Sequence, residues 1–382
     1  MKKIVFLTGS RAEYGKLKPL IKALDSKNFK THIFACGMHL LKKYGLTYME
    51  IYKDGFENVF LGKPYKRKES MDLNLSHTIK DFSKFIKSYK PDLIVVHGDR
   101  LEALGGAIVG AFNNILVAHI EGGEVSGTID ESIRHAVSKL SHIHFVANAK
   151  AKQRLMQLGE AKEYIYEIGS PDIDIMLSAN LPSLESTKNY YGIDFESFHI
   201  LTFHPVTTSI SSLKKDIDEV VKALVASKEN FVVIYPNNDL GSEIILKRLK
   251  ALSGNKNFAL FPSLRFEMFL TLLKHAKSII GNSSAGVREA PIFGTPSIDI
   301  GLRQTNRYDA NPLITHIESP KDLSTALQTI KDKKDSKSTR QEAVQGEFGD
   351  GKASLKFKEI LEGKELWELK VQKNFIDLRW GM

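Results

Sequence analysis

The chain has a single cysteine, Cys36, in 382 residues. That excludes an internal disulfide framework and suits a reducing cytoplasm. No apolar run approaches the roughly 18 residues that a membrane span requires, so no membrane association is expected. The amino terminus starts with basic residues, but its apolar run, Ile4 to Leu7, turns polar at once and reads as a first strand, not a signal peptide. No G-x-G-x-x-G follows that strand, which argues against a dinucleotide site, and the turn GSRAEYGK is not a Walker loop. Neither a metal-ligand spacing nor a Ser-His-Asp arrangement is present, so no metal site is expected. Short-period repeats are absent as well.

What is present belongs to a globular protein of two or three domains. Hydrophobic residues make up 42% and charged residues 26% of the chain. The formal charge of +9 raises the question of nucleic acid. The basic residues fall in scattered clusters, Lys63 to Lys68, around Lys247, and Lys331 to Arg340. None is interleaved with aromatics, so they read as solvated surface and no nucleic-acid partner is expected. A milder use is a field that attracts a small phosphorylated anion.

Along the chain, short apolar strands alternate with helical patterns. KKIVFL, THIFACG, PDLIVVHGD, ILVAHI, HIHFVAN and YIYEIGSP form a first series, with helices between them, one of which spans Met38 to Asp54. Through LSANLPSLESTKNYYG the periodicity weakens, which reads as a connection. HILTFHP, NFVVIYPNND, FALFP, SIIGNSSAG and TPSIDIG form a second series, with a helix predicted over Val287 to Phe293. This alternation predicts an α/β protein of two Rossmann-like, doubly wound parallel sheets. The expected divisions are 1–172 and 195–345, with a polar loop over Asp332 to Gly351. The segment 352–382 is apolar enough to dock back on the first domain.

Each strand ends in a polar tip, where ligands gather in open α/β sheets. On the first half these are Arg11 and Lys16, Asp99 with Arg100, and Glu121 with Asp130. The run His119 to His135 is the densest of them. A buried strand enters it and a helix with a capping-box pattern at Thr128 leaves it, which would hold Asp130 in a first helical turn. His119, on an apolar strand, reads as a core histidine. On the second half the tips are His204, Asn237, Ser283 with Ser284, Glu289, and Arg303 with Arg307. Ser283 or Ser284 would cap an anion-binding helix, Gly286 would permit close approach, and Glu289, one turn inside, would suit a ribose diol. These residue types point to a nucleotide diphosphate and to carboxylates for acid–base work.

The stretches HGDR, HIEGGEVSGTIDESIRHAVSKLSHIH, FHPVTT, YPNNDLGSE, GNSSAGVREAP and GLRQTNR together resemble the hydrolysing UDP-N-acetylglucosamine 2-epimerases. The resemblance runs from Gly9 to about Arg307. It implies a GT-B fold with UDP in an interdomain cleft, and conversion of UDP-GlcNAc and water to ManNAc and UDP in sialic-acid synthesis. It implies no cofactor, a UDP-sugar as the partner molecule, and a homodimer or homotetramer. By motif, Asp99, Glu121 and Asp130 resemble the family's catalytic acids. Arg11 and His204 match groups that would stabilise the leaving diphosphate. Asn237, Ser283, Ser284, Glu289, and Arg303 or Arg307 match its UDP-holding positions. Gly15 departs from relatives that carry Ser there. Three rival readings share the fold: a 2-epimerase of a UDP-2,4-diacetamido-trideoxyhexose, in legionaminic-acid synthesis; a non-hydrolysing 2-epimerase releasing UDP-ManNAc, against which the long loop GGEVSGTIDES argues; and a GT-B glycosyltransferase.

Overall fold

The structure, a computed structural model, describes residues 1–24, 27–65, 70–126, 128–308, 310–333 and 348–377. Half of the basic cluster Lys63 to Lys68, most of the loop Asp332 to Gly351, Gly127 and the last five residues lie outside the described residues.

The chain divides into two compact units. One holds Met1–Glu124, Asp130–Ala179 and Gly346–Met382, and the other Val125–Ile129 and Asn180–Gln345. The first is built on seven strands: β1 (Lys2–Thr8), β2 (Phe29–Ala35), β3 (Val59–Leu61), β4 (Leu93–His97), β5 (Leu116–Ile120), β6 (Ile143–Val146) and β7 (Ile165–Glu167). They lie in the order β3-β2-β1-β4-β5-β6-β7, all pairings parallel. Helices cover both faces, so the central strands are buried on both sides; Val5, Phe6 and Leu7 are fully buried although they alternate in direction. The order reverses between β1 and β4, and at such a switch point the loops diverge and leave room for a ligand.

The second unit repeats the plan with β8 (His199–Thr202), β9 (Phe231–Ile234), β10 (Phe258–Phe261), β11 (Ile279–Gly281), β12 (Ser297–Ile300) and β13 (Ile314–Ile317). Their order is β10-β9-β8-β11-β12-β13, again parallel, with the switch between β8 and β11.

Three details differ from the sequence reading. The single helix expected over Met38 to Asp54 is broken into tight turns at Gly37–Leu40 and Lys42–Tyr44 before a helix at Tyr48–Lys53, because Gly45 takes a left-handed conformation there. Within the segment read as a connection, Ser183 caps a helix, Leu184–Tyr191, and accepts a hydrogen bond from the Ser186 N–H. The edge strands β3 and β13 escaped notice. They are short and partly solvated, so they lack the apolar run that marks central strands.

The carboxyl-terminal residues belong to the first unit's core. In helix Ala353–Glu362, Phe357 is fully buried, edge-on to Phe145 at 4.8 Å and 6.3 Å from Phe6. Phe357→Ala is expected to cost about 3–5 kcal/mol, read as a lowered urea midpoint at unchanged slope. A loss below about 1 kcal/mol would show that this helix is not part of the cooperative core. Further on, the Lys373 ammonium donates to the carbonyls of Ser138, Lys139 and Ser141 at 3.1, 2.9 and 2.6 Å and pairs with Glu160. It thereby closes the carboxyl end of helix Ile129–Leu140, whose opposite end carries Asp130.

Candidate functional site

In the first unit the polar tips of β1, β4 and β5 meet side chains from the helices that follow. Glu121, directly after β5, is buried and holds a left-handed backbone, φ 60°. A non-glycine residue pays about 1–2 kcal/mol for that conformation, and such strain gathers at functional sites. Its carboxylate accepts a hydrogen bond from the Ser170 hydroxyl, lies 3.6 Å from the Lys16 ammonium and 3.3 Å from His97 Nε2. Lys16 also pairs with Asp172 at 2.8 Å, so two buried carboxylates share one ammonium.

Asp99 pairs with Arg134, whose second arm donates to the Glu121 carbonyl at 2.7 Å. One buried guanidinium thus ties the turn after β4 to the turn after β5. Asp130 stands in the first turn of helix Ile129–Leu140, half-buried, four residues before Arg134 and so on the same helix face. Arg11 is bonded to Glu50 at 2.5 Å, and Arg100 Nε lies 3.8 Å from Glu102. His119 is the core histidine expected. Its Nε2–H donates to the Gly98 carbonyl at 2.8 Å, which leaves Nδ1 to accept from the Ser138 hydroxyl at 3.0 Å. Burial holds its pKa well below the ordinary histidine value, so the ring is neutral.

In the second unit the centre is Asn282, a residue the sequence reading passed over between Gly281 and Ser283. Its side-chain oxygen accepts from the His204 N–H at 2.7 Å and its amide donates to the His204 carbonyl at 2.9 Å. The Asn282 backbone carbonyl in turn accepts from Arg303 at 3.3 Å and from Gln304 at 2.8 Å, and Arg307 donates to Gln304 at 3.2 Å. The His204 ring accepts the Asn237 N–H at Nδ1, 3.0 Å. In the neutral ring the proton is then on Nε2, which is left as a donor.

Two expectations here need correction. Ser283 and Ser284 do not open a helix over Val287 to Phe293. A tight turn, Ser284–Gly286, is followed by a four-residue helix, Glu289–Ile292. Glu289 is therefore the helix's first residue, and four peptides are too few to give an anion-binding amino end. At Gly281, φ 135°, a Cβ would strike the Thr202 carbonyl oxygen at 1.9 Å, so that position requires glycine. What the sequence did offer was the strand-end rule: Asp172 after β7 and Asn282 after β11 both obey it.

Comparison with known proteins shows the family. A sequence profile described as UDP-N-acetylglucosamine 2-epimerase matches residues 22–362. The UDP-N-acetylglucosamine 2-epimerase of Neisseria meningitidis serogroup B is 46% identical over 99% of this chain and 100% of its own length. The UDP-N,N'-diacetylbacillosamine 2-epimerase (hydrolyzing) of Legionella pneumophila is 31% identical over 95% of this chain and 96% of its own. The fold matches that of the Methanocaldococcus jannaschii UDP-GlcNAc 2-epimerase, solved with UDP-GlcNAc and UDP, with a TM-score of 0.76 at 21% identity, covering 94% of this chain and 99% of that one. With two parallel sheets of seven and six strands, the fold is of the GT-B type. The chain belongs to the UDP-N-acetylglucosamine 2-epimerase family.

Proposed function

We propose that the protein is a hydrolysing UDP-GlcNAc 2-epimerase that supplies ManNAc for sialic-acid synthesis. The observation that carries this is the Glu121 cluster, joined to Asp99 through Arg134. Inverting a sugar carbon by way of a double bond takes two proton transfers, hence at least two acid–base groups in different surroundings.

In the first step a carboxylate removes the proton on carbon 2. The electron pair forms the bond from carbon 2 to carbon 1, and UDP leaves carbon 1 with the bonding pair. In the second step water adds its oxygen to carbon 1 of the resulting 2-acetamidoglucal, and a proton reaches carbon 2 from the opposite face. We assign Asp99 and Asp130 to the elimination and Glu121 to the hydration. Asp99, the less buried of Asp99 and Glu121, is positioned by Arg134, which suits a base. Glu121, among Ser170, Lys16 and His97, has partners through which a proton can be replaced. The leaving diphosphate falls to Arg11, Lys16, Arg100 and the Nε2–H of His204, and the nucleotide to Asn237, Ser283, Ser284, Glu289, Arg303 and Arg307. Preorganised donors of this kind stabilise charge as it develops.

The 46% relative carries the UDP-GlcNAc name and the 31% relative the diacetylbacillosamine name, which favours UDP-GlcNAc as the substrate. The test is NMR of purified protein with UDP-GlcNAc in deuterated water. Free ManNAc labelled at carbon 2, with UDP, is the expected product. Recovery of UDP-ManNAc would make the enzyme non-hydrolysing, and turnover of only the diacetamido sugar would move it to the other pathway. A need for an acceptor sugar would make it a glycosyltransferase. Asp130→Asn is expected to abolish UDP release and to leave UDP binding intact.

A further inference from the structure

The turn after β1 contains a second pair of carboxyl groups to which the reaction above gives no task. Ser10 caps helix Arg11–Ala23 by accepting the Glu13 N–H at 3.4 Å, and the Glu13 carboxyl reaches back to the Gly9 N–H at 2.6 Å. In an exposed helix this would be an ordinary capping arrangement with a solvated carboxylate. Here Glu13 is 4% exposed and its Oε1 is buried without a hydrogen-bond partner. On the other side of the same glycine lies Glu102, equally buried. A Cβ added to Gly9 would stand 2.6 Å from the Glu102 Cδ, and one added to Gly37 would stand 2.3 Å from its Oε1. Two carboxyl groups therefore bracket one peptide at the sheet's switch point, beside Arg11.

We propose that Glu13, packed with Glu102 around Gly9, is a positioning residue: its carboxyl, bonded to the Gly9 N–H, holds the Gly9–Arg11 turn in the shape that receives a diphosphate. This rests on the reading of that turn as part of the UDP-sugar site. The groups facing the pair are Arg100, at the start of helix Leu101–Phe112, Tyr65 and Cys36. Tyr65 donates to Glu102 at 2.8 Å, and Arg100 lies 3.8 Å from it. Burial, then Glu102, pushes both the Cys36 thiol and the Tyr65 phenol upward, and burial, then Arg11, pushes nearby His39 down to about 3. None of these three changes charge near neutral pH.

Burial, and next the Glu102 charge, pushes the Glu13 carboxyl up to about 8. The sign follows. The folded protein holds a proton that an unfolded Glu releases near its ordinary value. The contribution is therefore full below that value, shrinks as pH rises, and is lost above about 8. Loss of that proton sets two carboxylates against each other across Gly9, and the turn loosens.

The test compares wild type with Glu13→Gln and Glu13→Ala by UDP calorimetry and by steady-state kinetics with UDP-GlcNAc across pH. Glutamine keeps the acceptor for the Gly9 N–H and cannot ionise. In wild type, KM and the UDP Kd are expected to rise about tenfold above pH 8, with kcat changing less. Glu13→Gln is expected to flatten that rise, and Glu13→Ala to raise both constants at every pH. An alkaline rise that persists in Glu13→Gln, or wild-type UDP affinity in Glu13→Ala, overturns the proposal. A wild type that binds UDP without consuming UDP-GlcNAc overturns the functional reading instead, and the calorimetry still decides the role of Glu13.

Discussion

Glu121→Gln is expected to lower turnover of UDP-GlcNAc about a thousandfold while changing UDP affinity by no more than about twofold. The glutamine side chain has nearly the same shape, and its oxygen can still accept the Ser170 hydroxyl. What disappears is the charge that faces Lys16 at 3.6 Å and His97 at 3.3 Å, and with it the capacity to take or give a proton. Lys16 keeps Asp172 at 2.8 Å, so the ammonium is not left buried alone and the fold should survive. The left-handed backbone at Glu121 makes the same point from the side of stability. A glycine would relieve that strain, so a residue kept there against it is one whose side chain is needed. Turnover within about tenfold of wild type would remove Glu121 from proton transfer. A matching fall in UDP affinity would instead make it a binding group.

Arg134 should give the second large effect. Its guanidinium spans two loops, one arm on the Asp99 carboxylate and the other on the Glu121 carbonyl at 2.7 Å. Arg134→Met is expected to destabilise the protein by roughly 3 kcal/mol, the low end for breaking a buried pair, because the Asp99 side chain is 21% exposed and water can partly replace its partner. Turnover should fall at least about a hundredfold, since both turns lose their common anchor. Arg134→Lys separates charge from geometry. Lysine restores the positive charge, but a single ammonium at the end of a flexible stem cannot reproduce the two-armed contact. Stability should recover in part and turnover should not. Full activity in Arg134→Lys would show that charge alone positions Asp99. Denaturant unfolding and steady-state kinetics on the three proteins decide between these outcomes.

The candidate residues were legible in the sequence to very different degrees. Asp99, Glu121 and His204 could be singled out because each follows a buried strand of a parallel sheet, and the rule for such sheets needs only chain order. Their partners could not. Arg134 was visible as one basic residue in a dense run, yet its bond to Asp99 spans 35 positions and Ser170 reaches Glu121 across 49. Asn282, between a glycine and two serines, looked like part of a polar turn, and only the pairing of β8 with β11 places it against His204. The helix expected over Val287 to Phe293 is instead the short helix Glu289–Ile292, preceded by the turn Ser284–Gly286.

By itself the sequence determined the alternation of strand and helix, the parallel sheets, and the strand ends at which chemistry could sit. These follow from periodicity and burial, which are properties of short stretches. Tertiary structure alone decided which groups touch: Lys16 between Asp172 and Glu121, Arg134 across two loops, and Glu13 with Glu102 around Gly9. The physical reason is that protonation and charge depend on what lies within a few ångströms of a side chain, and in a parallel sheet those neighbours arrive from strands and helices far apart along the chain.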